Sequence, residues 1–395
     1  MSYPKFLDFP ESEYKRRYDA VKKLMSARGI QALLISGREN LIYFTGYRTE
    51  LYASKFRPFV GILPLDGEPV MLVPDLERWG CVQTTWIRDV RHWGAFLDAV
   101  FKDAISSIVD LLKEMGLGKA TLAAEIGPTT RLGMSLLEFE KIRAEFPKIK
   151  FVDASEITWS VRSIKTEEEV TRVKKACQIT DKAVEAAWDT LKENVSEKQL
   201  SEAIQVTMAT EGADRLGFLV IRSGFARGNM VNPLPSDYRI RRGDIVTVDL
   251  GAIYGDYWSD MTRNAIMGQP TERARKVHEV VLKAQVAAMN MIRAGVKAKD
   301  VDAAAAKILK DAGHGPWMLH RTGHSIGVDL HELPGLGPLD ETILQDGMIL
   351  AVEPGLYPLM YMGDIGNFLN EDIVVVRKSG CDILTNSPRD LYVKT

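Results

Sequence analysis

Four carboxylates at or beside apolar strand-like runs, together with one imidazole, constrain this chain more than any other feature. They are Asp249, Asp260, His324, Glu353 and Glu371, in VDLGAIYGDYWSD, HRTGHSIGVDLHE, AVEPG and NEDIVVV. A fold that buries these segments gathers the acids, and gathered carboxylates repel and rise in pKa unless positive charge is supplied. Two divalent cations would balance four negative charges, so the residue types match the ligand set of a two-metal hydrolytic centre that ionises a water.

The first acid pair has a geometry of its own. Ile245 to Asp249 (IVTVD) reads as a buried strand and Tyr257 onward (YWSDMTR) as its return. Between them Tyr254-Gly255 reads as a two-residue turn, with Gly255 tolerating positive φ. A turn centred there sets Asp249 directly opposite Asp260, with Cβ atoms about 4.5–5.5 Å apart. That separation suits a metal pair about 3.5–4 Å apart. A solvent-facing acidic hairpin is disfavoured, because opposed like charges destabilise a hairpin and Asp is depleted in strands.

Four of the six histidines fall between His314 and His331. Gly323 and Gly327 flank His324, which predicts an irregular, tightly turned backbone that presents this ring inward. One imidazole as ligand, with His320 and His331 beside it to donate hydrogen bonds or move a proton, is a workable division of labour. Glu353 ends the apolar run MILAVE, where an unpartnered charge would be costly. Metal coordination and an Arg ion pair both remain open for it. Glu371 begins EDIVVV, where turn polarity is an equally good explanation taken alone.

The 395 residues suffice for two ordinary domains. A net charge of −2 gives no preference for nucleic acid or an anionic membrane. The three cysteines lack CxxC spacing, which argues against a disulfide framework and for a reducing compartment. MSYPKFLDFPESEYKRR has no apolar core of a secretory signal, and no apolar run approaches the roughly 18 residues of a membrane span. A cytoplasmic protein is expected.

Residues 12–28 read as an amphipathic helix stopped by Gly29, followed by strands IQALLISG, FVGILPLDG and PVMLVP, a helix over 97–115, and strands TLAAEI and IKFVDA. This alternation predicts an α/β domain over residues 1–160. Thr166 with Glu169 and Ser196 with Gln199 have capping-box spacing ahead of helices through Leu191 and to about Thr210. Helices over 271–293 and 299–312, strand texture from Gly217, and strands returning from about 348 predict an α+β domain with a largely antiparallel sheet over 161–395.

The spaced set VDLG…SDMTR, HRTGHSIGVDLHE, VEPGLY and NED resembles the pita-bread metallopeptidase superfamily, in its prolidase and aminopeptidase P branch. ENLIYFTGY is similar to the segment that opens the smaller domain of prolidases and creatinases, and RSIKTEEEV to the start of their catalytic domain. The resemblance implies an α/β creatinase-like N-terminal domain and an α+β pita-bread catalytic domain. It implies cleavage of the Xaa-Pro bond of dipeptides or short peptides by a metal-bridging hydroxide, in a homodimer; the charge balance and the lack of a long apolar run add the expectation of no nucleic-acid and no membrane partner. In that resemblance Asp249 holds one of two divalent ions (Mn, Co, Fe or Zn, with Mn or Co favoured). Asp260 and Glu371 bridge both, His324 binds the second, and Glu353 ligates and helps position or deprotonate the attacking water. His331 steadies the tetrahedral intermediate and His320 contacts substrate near the leaving group.

Two positions depart from the family pattern. Asn232, in MVNPLPSDYRIRRGD, stands where a His is usual, and Leu369, in GNFLNED, where an Arg is usual. Asn cannot carry a proton at neutral pH. Both positions bear on substrate recognition, and they motivate an alternative: a C–N hydrolase on a small non-peptide amide, similar to creatinase and ectoine hydrolase.

Overall fold

The structure is a computed structural model and describes residues 5–94, 103–224, 227, 230–358 and 365–395. The chain forms two compact units, Met1–Val161 and Arg162–Thr395.

The first unit is built on a six-stranded sheet. Its strands are β1 (Ala32–Ile35), β2 (Val60–Pro64), β3 (Val70–Pro74), β4 (Asp89–Trp93), β5 (Thr121–Ala124) and β6 (Lys150–Asp153), ordered β4-β3-β2-β1-β5-β6. β1 runs antiparallel to β2 and parallel to β5. The sequences ALLI, VGILP and VMLVP are buried throughout, as expected of strands covered on both faces. Helix Glu11–Arg28 ends at Gly29, whose φ of 64° is left-handed and lets its N–H reach the Met25 and Ser26 carbonyls. Of the helix expected over 97–115, residues 97–102 lie outside the described residues. The remainder runs Ala104–Glu114, capped by the Asp103 carboxylate on Ser106 N–H. In the aromatic-rich stretch 43–58, Tyr43, Phe44 and Tyr47 are buried while Phe56 is exposed.

The second unit opens with helices Glu167–Thr190 and Glu197–Thr210, and both expected capping boxes are formed. Helices Glu272–Met291 and Ala298–Asp311 follow. The single sheet expected here is two five-stranded sheets and a two-stranded ribbon. One sheet comprises β7 (Arg215–Ser223), β8 (Ile245–Tyr254), β9 (Tyr257–Trp258) and β10 (Met261–Met267). The C-terminal β18 (Tyr392–Lys394) lies parallel along β10. The other comprises β11 (Gly323–Ser325), β12 (Glu332–Leu336), β13 (Ile349–Val352), β16 (Asp372–Arg377) and β17 (Gly380–Ile383), all antiparallel. β14 (Gly355–Leu356) and β15 (Phe368–Leu369) form the ribbon. Strands therefore return at 323, earlier than the sequence texture implied.

Candidate metal centre

The β8–β10 hairpin corrects the expected register. Tyr254 pairs with Tyr257, so the turn residues are Gly255 and Asp256, both at positive φ (57° and 65°). This matches a primed two-residue turn. The shift pairs Asp249 with Thr262 rather than Asp260. Asp260 falls between β9 and β10, outside both strands, and reaches Asp249's side of the sheet diagonally.

His324 faces inward as expected, but from within β11 rather than from a tight turn, and the irregularity is a register shift immediately after it. Gly323 is required there, because a Cβ would lie 2.0 Å from the Ala351 carbonyl oxygen. Gly327 leaves room for the Glu332 carboxylate, which a Cβ would meet at 2.8 Å. Glu353 directly follows β13 and Glu371 directly precedes β16, two strands that pair side by side.

Among the described residues, donor atoms of Asp260, His324 and Glu371 close to within 4.8 Å of one another, and all three residues are buried. His324 Nδ1 lies 3.0 Å from the Ser325 carbonyl oxygen. A carbonyl only accepts, so Nδ1 carries the proton and Nε2 is a bare acceptor. That acceptor faces Asp260 Oδ2 at 3.6 Å and Glu353 Oε1 at 3.5 Å. Burial, then the neighbouring His331, pushes the His324 pKa down to about 3, so the ring is neutral at ordinary pH. Asp260 Oδ1 is buried without a hydrogen-bond partner. Burial and then Glu371 drive the Asp260 pKa far up; burial and then Asp260 do the same for Glu353; burial and then Glu353 do the same for Glu371. Lone pairs aimed at lone pairs with no donor between them fit a cation, and this mixed O/N set suits a divalent transition metal.

Asp249 stands apart from that triad. Its Oδ2 accepts a 2.8 Å hydrogen bond from Nη2 of Arg222, a buried arginine on β7. Burial raises the Asp249 pKa, and Arg222 works against the rise.

A cleft of about 450 Å³ opens over the centre, within the size range of small-molecule sites. All eight sequence-derived site residues line it: Asn232, Asp249, Asp260, His320, His324, His331, Glu353 and Glu371. Leu369 is there too. His331 is exposed, its ring 4.2 Å from the His324 ring. His320 Nδ1 donates to the Arg321 carbonyl at 2.7 Å, so its Nε2 accepts the Tyr357 hydroxyl proton at 2.9 Å. Both ring nitrogens of His320 are thus engaged. His314 instead stacks on Trp317, with centroids 4.5 Å apart.

Sequence reasoning missed Arg222, Thr262, Arg321 and Tyr357. Thr262 Oγ1 donates to Glu371 Oε2 at 2.9 Å, and Arg321 and Tyr357 line the cleft. A charge inside the apolar run FLVIRS was the available signal for Arg222.

Beneath the centre, buried ion networks hold its strands. Glu332 accepts from Arg162 Nη2 at 2.5 Å and Lys165 Nζ at 2.8 Å, and the same Nζ lies 3.2 Å from Ser325 Oγ. Asp372, next to Glu371, accepts from Arg263, Gln285, Thr385 and Arg389. Arg263 also donates to the Glu371 and Ser387 carbonyls. The three cysteines are free, and no helix among the described residues is long and apolar enough to cross a membrane.

Two family models match the chain: metallopeptidase family M24 over residues 171–378 and the creatinase/prolidase N-terminal domain over 17–164. A Xaa-Pro dipeptidase of Pyrococcus furiosus is 32% identical over 378 residues, covering 95% of this chain and 99% of that protein. A prolidase structure from Thermococcus sibiricus superposes with a TM-score of 0.86 at 30% identity, covering 96% of this chain and 99% of its own. The X-Pro aminopeptidase structure from Thermotoga maritima gives 0.82 at 26%, covering 95% and 99%.

Proposed function

Because the chain belongs to metallopeptidase family M24 and carries a creatinase/prolidase N-terminal domain, we propose that it is a metal-dependent peptidase that cleaves the Xaa-Pro bond of dipeptides or short peptides. The observation that carries this reading is the acceptor-only cluster of Asp260, His324 and Glu371 at the floor of the cleft. The curated and structural relatives named for Xaa-Pro cleavage support the substrate class. On this reading residues 1–160 are the creatinase-like domain and 161–395 the catalytic domain, and the active form is a cytoplasmic homodimer.

Asp260, His324, Glu371 and Glu353 would hold a divalent ion, Mn or Co favoured, and a second ion, as in the two-ion set, would need Asp249 as well. When bound, the metal supplies a water of near-neutral pKa and polarises the scissile carbonyl. Glu353 takes the proton of the attacking water. His331, exposed beside His324, donates to the developing oxyanion. His320 reaches the leaving group only by releasing the Tyr357 hydroxyl, so Tyr357 sets its orientation before substrate arrives. Asn232 and Leu369 contact substrate from the cleft wall.

Those two cleft residues also support a second reading, hydrolysis of a small non-peptide amide. The test is metal analysis with a panel of Xaa-Pro dipeptides, tripeptides and small cyclic amides after Mn²⁺ or Co²⁺ loading. Turnover of a proline dipeptide that disappears on chelation and in Asp260→Ala is the expected result. Bound metal without turnover of any proline peptide would reject the substrate class, and a metal-free protein would reject the enzyme.

A further inference from the structure

Arg222 is a feature of the centre that the metallopeptidase reading leaves without a task. It lies on the same face of β7 as Phe218 and Val220, which line the cleft. Its side chain is 1% exposed. The bond from Nη2 to Asp249 is its anchor, because among the described residues Nε and Nη1 have no partner. The guanidinium carbon sits 6.0 Å from the Tyr357 ring centroid.

A guanidinium stays charged at any pH a protein survives. It is therefore a permanent cation bonded to a carboxylate expected to hold metal. It cannot swing into solvent without opening the floor of the cleft. An ion held by Asp249 would share that carboxylate with Arg222 and sit within a few ångströms of its charge, in a site where water screens little. The triad of Asp260, His324 and Glu371 carries no such competitor.

We propose that the Arg222 guanidinium serves as the resident cation at Asp249, so that the enzyme holds a single metal ion per chain, at Asp260, His324 and Glu371. This rests on the metallopeptidase reading and narrows its ion count. Arg222 is here a positioning residue. It fixes the Asp249 carboxylate as a hydrogen-bonded wall of the site, and the one metal does the activating chemistry.

The experiment is metal stoichiometry on the full chain, by elemental analysis after desalting, by calorimetric titration with Mn²⁺, and by electron paramagnetic resonance of the Mn²⁺ protein. Wild type is expected to take one ion per chain and give an uncoupled mononuclear spectrum. Arg222→Met is expected to take two and give an exchange-coupled spectrum, while Arg222→Lys, which keeps a cation, stays at one. Two ions of comparable affinity in wild type would overturn the proposal, as would a folded Arg222→Met that still takes one. The wild-type stoichiometry decides the matter even where Arg222→Met does not fold. No bound metal in wild type would instead overturn the metallopeptidase reading itself.

Discussion

Replacing Glu332 by Gln should damage this protein more than any surface change, although Glu332 is not expected to touch metal or substrate. The Glu332 carboxylate lies between Arg162 and Lys165, and all three side chains are at most 3% exposed. Glutamine keeps the shape but removes the buried carboxylate charge that Arg162 and Lys165 share. Breaking a buried pair from one side costs about 3–5 kcal/mol. For a unit the size of Arg162–Thr395, about 2–4 °C of Tm is lost per kcal/mol, so a fall of about 6–20 °C is expected. Removing one of the two cations as well, in Glu332→Gln/Lys165→Met, should recover part of it.

The pH dependence has a definite sign. Burial raises the Glu332 pKa, but Lys165 and Arg162 outweigh it and the net direction is down. The carboxylate's contribution is therefore complete above its unfolded value of about 4.3 and is lost only as pH falls through the lowered folded value. The gap between wild type and Glu332→Gln should stay constant from about pH 8 to pH 5 and close in stronger acid. Calorimetry or urea melts of both proteins measure this. A Tm change of under about 2 °C, or a double variant less stable than the single one, would refute the reasoning.

His331→Ala should lower kcat by about 10²–10³-fold with metal content unchanged; a loss of metal would show that this imidazole ligates rather than donates. Asn232→His restores a proton-carrying side chain to the cleft wall, and Xaa-Pro turnover should rise relative to small amides; an unchanged ratio would remove Asn232 from the specificity determinants. His278 is buried and its pKa is pushed down to about 4 by desolvation, while its Nε2 accepts from Asn370 Nδ2 at 3.3 Å. Its folded form is neutral, so its contribution is full above about pH 6.5 and up to about 3 kcal/mol is lost as pH falls towards 4. Urea midpoints compared with those of His278→Asn isolate this, and parallel curves from pH 7 to pH 4 would count against it.

The parts legible in the sequence were those written in local chemistry. Both capping boxes, the Gly29 stop and the apolar strands of the first unit each follow from residues a few positions apart. The convergence of Asp260, His324 and Glu371 was readable as well, because acids in apolar strands need a shared partner. The hairpin register was not. Choosing Gly255-Asp256 over Tyr254-Gly255 as the turn depends on Asp256 accepting a positive φ, and the difference is a single position. The backbone at His324 was read as a tight turn, although its ring does face inward, because glycines that make room for neighbouring strands resemble glycines that make turns. Arg222 and Tyr357 stayed hidden because their meaning lies in partners far along the chain.

The tail has a bearing on biosynthesis. Thr385, Ser387 and Arg389 close on Asp372 and Arg263, and β18 covers the edge of β10. Strand β10 begins right after Asp260, and Asp372 follows Glu371. The earlier unit has its own sheet and core, and it can fold while translation continues. The bracing around the cation cage is complete only once the chain through Arg389 has been made, so a nascent chain stalled before Thr385 would carry every donor without the contacts that hold Asp372 and Arg263.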